Sequence, residues 1–254
     1  MTEQLSFDYL WNIQAEHIDH LNRRGQGWSA VSCIHIDGQQ DKRFYLKLQE
    51  NYFSRNLRHP CRGQLTLVNE HRILSYLAAH GVGTPKIAFF ASDAATRRAI
   101  LMTEELAGYH DLEYYLSQGF FASASQPAGS AQTTLAKTTP RQLYQLLRAI
   151  AQQVRKMHQA GVQSRSLYPK HIFIAAATDQ ASAAAFKIAM IDFEKSRISR
   201  WNPLAFVRDL VSLNGRTKSL SVKHRIYFFK AYCAARHLNL SQRWLMRWIA
   251  KQSH

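Results

Sequence analysis

Between His158 and Ile174 the chain reads HQAGVQSRSLYPKHIFI, and the reading of this stretch decides the fold. Gly161 stands where an apolar stripe stops, and glycine is well suited to end a helix. Ile172 opens an apolar run of the kind that a buried strand uses. Between them lies a polar loop, with Ser164-Arg165-Ser166 near its start and His171 at its end. Its hydroxyls, guanidinium and imidazole make it the candidate for chemistry.

Upstream, Leu143, Leu147, Ile150, Val154 and Met157 recur at spacings of four, three, four and three, which predicts an amphipathic helix running into Gly161. Downstream, FKIAMIDFEKSR (Phe186–Arg197) predicts a buried strand that ends at Asp192, 26 residues beyond Ser166. An acid at such a strand end either holds Mg²⁺ through hard oxygen contacts or caps a turn. ATDQASAAA (Ala177–Ala185) is expected to be a small loop joining two short strands. SQGFFASASQPAGSAQTTLAKTTP is rich in Ala, Ser and Thr, and residues 119–140 are expected to form a surface insertion.

The first part of the chain has a different texture. Val31 to Ile36, Arg43 to Leu48, Lys86 to Phe90 and Ala99 to Thr103 alternate like strands, interrupted by a helix from about Leu67 to His80 that stops at Gly81. This divides the protein into an N-terminal arm (1–20), a β-rich lobe (21–105) and an α-rich lobe (106–254). In NRRGQGWSAV, Gly25 and Gly27 with Ser29 sit at a strand–turn–strand. That pattern fits either a hairpin or a backbone cradle for phosphate oxygens with Arg23 and Arg24 supplying charge. In FYLKLQ, Phe44, Leu46 and Leu48 share one face of a strand, and Lys47 lies on the other. Lys47 is either a solvated edge residue or, paired with Glu70 of the following helix, a point charge aimed at phosphates. At Glu104-Glu105-Leu106 the backbone of Glu104 and Leu106 could receive an adenine, although any strand-to-helix link looks similar.

Composition sets the bounds. The 254 residues suffice for one substantial core or two small lobes, and a 46% hydrophobic share excludes a disordered chain. The formal charge of +16 favours anionic partners without choosing among them. Cys33, Cys61 and Cys233 are scattered and read as reduced thiols. The polar, acidic N-terminus does not read as a secretory signal, and no apolar run is long enough to span a bilayer. The expected location is cytoplasmic.

Taken together, NRRGQGWSAV, FYLK, VNEHRIL, LMTEELAGYHDL, SRSLYPKHIFI and MIDFEKSR resemble the lipopolysaccharide kinases of Gram-negative bacteria. These include the core-heptose and Kdo kinases and the InaA-type proteins, and the resemblance runs from about Asn22 to beyond Asp209. It implies an α+β, protein-kinase-like bilobal fold. It also implies an enzyme that uses ATP and Mg²⁺ to phosphorylate a lipopolysaccharide core sugar at the inner leaflet, where any membrane contact would be peripheral. On this resemblance Lys47 meets the α/β-phosphates and Glu70 holds it. Asp192 binds the metal, His171 takes the second catalytic-loop position and can join the metal, and Asp209 braces the loop backbone.

The departure is in the loop itself. The family's His-x-Asp is replaced by Ser164 and Ser166. A serine hydroxyl is a far weaker base than a carboxylate, and general-base help is worth about 10²–10⁴ in rate. Much of phosphoryl transfer rests on positioning, lysine and metal, so the expectation is a handicapped kinase or a pseudokinase that binds nucleotide or a partner without transferring. Glu194 is expected to point away from Asp192.

The C-terminal half concentrates basic residues, which suits either an anionic membrane surface or ordinary solvated helix faces. LSQRWLMRWIAKQ, with Ser241 as the expected N-cap, either lies at a membrane interface or, the commoner use, packs Trp244 and Trp248 into its own lobe. A nucleic-acid binder fits the charge alone and lacks any helix-turn-helix, zinc-finger or RNP motif.

Overall fold

The computed structural model describes residues 5–253 apart from 16–17, 19–20, 37–40, 57–58, 119, 121–138, 178–185 and 200–202. Most of the expected insertion at 119–140 and of the 177–185 loop therefore lies outside the described residues. The chain divides into two compact units, one of residues 1–79, 84–107 and 192–196, the other of 80–83, 108–191 and 197–254.

The first unit opens with a short helix α1 (Phe7–Asn12), whose N-cap Ser6 accepts from the Tyr9 amide. Strands β1 (Asn22–Arg24), β2 (Gly27–His35) and β3 (Arg43–Glu50) follow, then a separate hairpin of β4 (Phe53–Asn56) and β5 (His59–Leu65). Helix α2 (Thr66–Ala79) leads on to β6 (Ile87–Asp93) and β7 (Arg98–Glu104). The main sheet has the order β1-β2-β3-β7-β6, antiparallel throughout, so β3 is its central strand.

Alternation along β3 places Phe44, Leu46 and Leu48 in a core with Leu10, Ile34, Ile36, Ile100 and Met102. Lys47 and Gln49 point to the opposite face, the one covered by α2, where Leu67, Ile73, Leu74 and Leu77 are buried. A lysine on a central strand under a helix is not a solvated edge residue, and that reading of Lys47 is set aside.

The two glycines at the β1–β2 turn have backbone reasons of their own. Gly25 has φ +62°, and a Cβ on Gly27 would lie 2.3 Å from the Asn51 carbonyl oxygen.

In the second unit, β8 (His110–Asp111) leads into α3 (Leu112–Ser117), capped by Asp111. The long helix α4 (Pro140–Gln159) has Thr139 and Gln142 in a reciprocal capping box and proline in its first turn. The expected stripe is its buried face, widened by Leu146, Ala151 and His158. After it come β9 (Val162–Gln163), a 3₁₀ turn (Pro169–His171), β10 (Ile172–Ala176) and β11 (Phe186–Met190). Strand β10 sits between β11 and β8, and β12 (Arg197–Ile198) pairs with β9. Helices α5 (Pro203–Arg216), α6 (Val222–Cys233) and α7 (Leu240–Gln252) complete the unit.

Helix α7 corrects two expectations. Its N-cap is Asn239, in a capping box with Gln242, rather than Ser241. Its buried residue is Ile249, while Trp244 is 66% exposed, so the tryptophans are not its anchor. Among the described residues no helix is long and apolar enough to cross a membrane. Cys33 and Cys233 are free thiols, and the Cys61 side chain lies outside the description.

Candidate active site

The sheet unit builds a charged cluster around Lys47. Its ammonium donates to Glu70 Oε1 at 2.7 Å, and the Glu70 carboxylate is 3% exposed. Burial depresses the lysine, but Glu70 beside it, reinforced by Asp192 and Glu194, holds the ammonium above its ordinary pKa. Lys47 is therefore a fixed positive charge. The second Glu70 oxygen, Oε2, is buried without a hydrogen-bond partner among the described residues.

The segment carrying Asp192 is fastened to the first turns of α2. Asn69, 6% exposed, donates its side-chain amide to the carbonyls of Glu194 and Ser196, each at 3.0 Å. Thr66 Oγ1 accepts from Gln49 Nε2 at 2.7 Å and donates to Glu194 Oε2 at 3.4 Å, and Gln49 Oε1 takes the Leu67 amide at 3.1 Å. Asp192 adopts a left-handed backbone with φ +62°, which costs a non-glycine residue about 1–2 kcal/mol and persists only where its surroundings hold it.

Glu194 does not point away. Its carboxyl lies in the field of Asp192, Glu70 and Lys47, and burial, then the Asp192 and Glu70 charges, raise its pKa. A carboxyl with a raised native pKa contributes its stability at low pH and loses it as pH rises through that pKa. Glu194→Gln is therefore expected to melt above wild type at pH 7–8. The advantage should shrink as pH falls to the ordinary glutamate range, a trend that melting curves across pH would check.

Glu104 and Leu106 lie at the end of β7 and just beyond it. The Glu104 amide donates to the Lys86 carbonyl at 2.8 Å, and its carboxylate meets Lys86 at 2.8 Å. Ser29 pairs across the sheet with Gln49 and Asn22.

In the helical unit the loop of Ser164-Arg165-Ser166 hangs from one carboxylate. Asp209 of α5, 1% exposed, accepts the Ser164 amide at 2.7 Å on Oδ2 and the Arg165 amide at 2.8 Å on Oδ1. His158 Nε2 lies 3.2 Å from Oδ2, and its Nδ1 is 2.8 Å from the Tyr232 hydroxyl. The neutral tautomer that satisfies both donates from Nε2 to Asp209 and accepts from Tyr232. Burial raises the Tyr232 pKa and keeps it a donor.

With this support Arg165 adopts φ +62°, and Ser164 and Ser166 are each 2% exposed. His171 Nδ1 is 2.8 Å from the Ser166 carbonyl, an acceptor only. The proton therefore sits on Nδ1 and the lone pair of the neutral ring on Nε2, the arrangement that a histidine ligand needs.

Sequence reasoning missed Asn69, Gln49, His158 and Tyr232. Asn69 could have been found as a polar residue beside Glu70 at a position that α2 must bury. Among the described residues no three of His, Cys, Asp and Glu converge as a metal cage. A kinase Mg²⁺ is held by one or two carboxylates with phosphates and water, so Asp192, with Glu194 nearby, is the donor set that fits it.

A strand lysine locked to a helix glutamate in an antiparallel sheet unit, with a helical unit whose loop is braced by a buried aspartate, defines a protein-kinase-like fold. The family model of the lipopolysaccharide kinases (Kdo/WaaP) matches residues 8–232, and the chain belongs to this family of phosphotransferases. It is 28% identical over 193 residues to Protein InaA of Escherichia coli (strain K12), covering 75% of this chain and 78% of that one. A solved structure, WaaP in complex with acyl carrier protein, shares the fold with a TM-score of 0.69 at 21% identity, over 97% of this chain and 90% of that chain.

Proposed function

We propose that the protein transfers the γ-phosphoryl group of Mg·ATP to a hydroxyl of a lipopolysaccharide core sugar. The observation that carries this reading is the Lys47–Glu70 pair in the field of Asp192 and Glu194. Lys47 meets the nucleotide phosphates and Glu70 holds it there. Asp192, with Glu194 nearby, is the acid that would bind Mg²⁺, and His171 takes the second catalytic-loop position. Gly25, Gly27 and Ser29 cover the phosphates, and the backbone at Glu104 and Leu106 takes the base. When bound, the metal neutralises charge on the transferring phosphoryl group. The loop keeps its brace, Asp209, while Ser166 stands where a base would be.

A second reading is favoured by Ser166 itself: a pseudokinase that binds nucleotide and transfers nothing. Both readings require the nucleotide site. In a thermal-shift titration, a ligand at 100 times its Kd stabilises the native state by about 2.7 kcal/mol. For a chain of this size that is a melting shift of roughly 5–10 °C. Mg·ATP is expected to shift wild type and to leave Lys47→Ala and Asp192→Ala unmoved. No shift at millimolar nucleotide in wild type would end both readings.

The acyl carrier protein in the neighbouring structure supports one partner proposal. The helical unit contains an apolar cavity of about 230 Å³, bordered by Leu147, Ile150, Leu213, Phe229, Met246 and Ile249. We assign it to an acyl chain delivered by a carrier protein. Native mass spectrometry should show a complex with acylated carrier and none with the unacylated form. Equal binding of both would remove the cavity from the proposal.

A further inference from the structure

From Leu210 to His254 the chain carries nine Lys or Arg residues and no Asp or Glu. These 45 residues include the end of α5 and all of α6 and α7. Charge on ordinary solvated helices is mixed in sign, because neighbouring opposite charges relieve repulsion. Here nothing on the segment offsets the positive field.

Helix α7 adds an apolar element to this segment. Leu240, Trp244 and Trp248 recur every four residues and are 84%, 66% and 38% exposed. Arg243, Arg247 and Lys251 recur at the same interval on the adjoining stripe, all exposed. Val222, which opens α6, is 72% exposed.

The exposed Leu240, Trp244 and Trp248 are not what holds the helix in place. The capping box at Asn239 fixes its start, Arg243 Nε reaches the Leu238 carbonyl at 3.0 Å, and Ile249 is buried. At the far end Ser253 Oγ donates to the Val211 carbonyl at 3.2 Å, tying α7 to α5. The helix is thus anchored through one side while presenting tryptophan, leucine and cations on the other. Tryptophan is suited to the boundary of a bilayer, with an apolar ring and an N–H that stays wet. Lys and Arg beside it reach phosphate groups.

We propose that the outer face of α7, with the acid-free segment around it, docks the protein onto a bilayer surface containing anionic phospholipid. Leu240 and Trp244 enter the headgroup region, and Arg243, Arg247 and Lys251 bind the lipid phosphates. This rests on the reading that the acceptor sugar belongs to a membrane-embedded lipopolysaccharide, but its test needs neither nucleotide nor acceptor.

The test is co-sedimentation of the full chain with vesicles of phosphatidylglycerol and phosphatidylethanolamine, against vesicles of phosphatidylcholine alone. Binding is expected to the first and to weaken in high salt. Replacing Arg243, Arg247 and Lys251 together by Gln should weaken it roughly 100-fold. Leu240→Ser with Trp244→Ser should abolish stable binding while leaving the melting temperature and the Mg·ATP shift at wild-type values. Brominated lipid should quench Trp244 in a chain whose other tryptophans are Phe. Undiminished vesicle binding by either variant would overturn the proposal. So would binding confined to duplex DNA or to an acidic protein with no affinity for anionic vesicles. A missing Mg·ATP shift alongside intact, variant-sensitive vesicle binding would remove the kinase reading and leave this face standing.

Discussion

Ser166→Asp is expected to raise single-turnover phosphoryl transfer by about 10²–10⁴-fold. The loop that would carry the new carboxylate is already fixed, since Asp209 holds the amides of Ser164 and Arg165 at 2.7 and 2.8 Å. The substitution adds a proton acceptor to a placed backbone. Because Ser166 is 2% exposed, the new aspartate would be desolvated and its pKa raised. The gain should therefore grow with pH through that raised value and level off once the carboxylate is ionised. The Mg·ATP melting shift should not change, since the base takes no part in holding nucleotide. Single-turnover rates on lipopolysaccharide at several pH values would check this. A flat response would show that proton removal does not limit the rate, and the pseudokinase reading would then lead.

Lys47→Met is expected to cost about 3–5 kcal/mol, the usual penalty for stranding one member of a buried ion pair. Glu70 is 3% exposed and one of its oxygens already lacks a partner, so removing the ammonium leaves an uncompensated carboxylate. Glu70→Leu should cost less, because Lys47 is 27% exposed and keeps the attraction of Asp192 and Glu194. The double variant Lys47→Met/Glu70→Leu should recover most of the loss, since an apolar pair of similar volume avoids the desolvation of both charges. Denaturant unfolding of the four proteins gives the coupling directly. Additive losses would mean that the 2.7 Å pair carries no coupling energy. None of the three variants should respond to Mg·ATP, even where stability is restored, because the point charge that meets phosphate is absent or no longer held.

Much of this was legible in the sequence because the periodicity is strong where the protein is most buried. The stripe from Leu143 to Met157 predicted α4, and the alternation in FYLKLQ placed Lys47 opposite Phe44, Leu46 and Leu48. The contacts that finish the candidate site were hidden for a common reason. Gln49, Asn69 and Thr66 are polar residues that the fold buries, Glu194 is one that it half-buries, and a sequence pattern treats polar residues as outward. His158 likewise looked like the end of an amphipathic helix, yet it joins Asp209 and Tyr232.

The N-cap of α7 was misread between two good capping residues, although Asn239-x-x-Gln242 carries the reciprocal pair that decides it. The exposed face of that helix could not be chosen by spacing. Trp244 and Ile249 both sit on apolar stripes, and only packing shows which stripe turns inward.

The two bonds from Asn69 reach further than local geometry. They make α2, with Glu70 on it, and the stretch from Asp192 to Ser196 travel as one part. Swinging the helix outward while the acid stays behind would break both bonds, one to the part-buried Glu194 carbonyl and one to the buried Ser196 carbonyl, and a buried carbonyl left without its donor costs about 1–3 kcal/mol. The two bonds therefore favour the assembled posture. If the proposed docking face holds, control of such a molecule is better sought in where it is berthed and what reaches it than in rearranging the lysine and the acid.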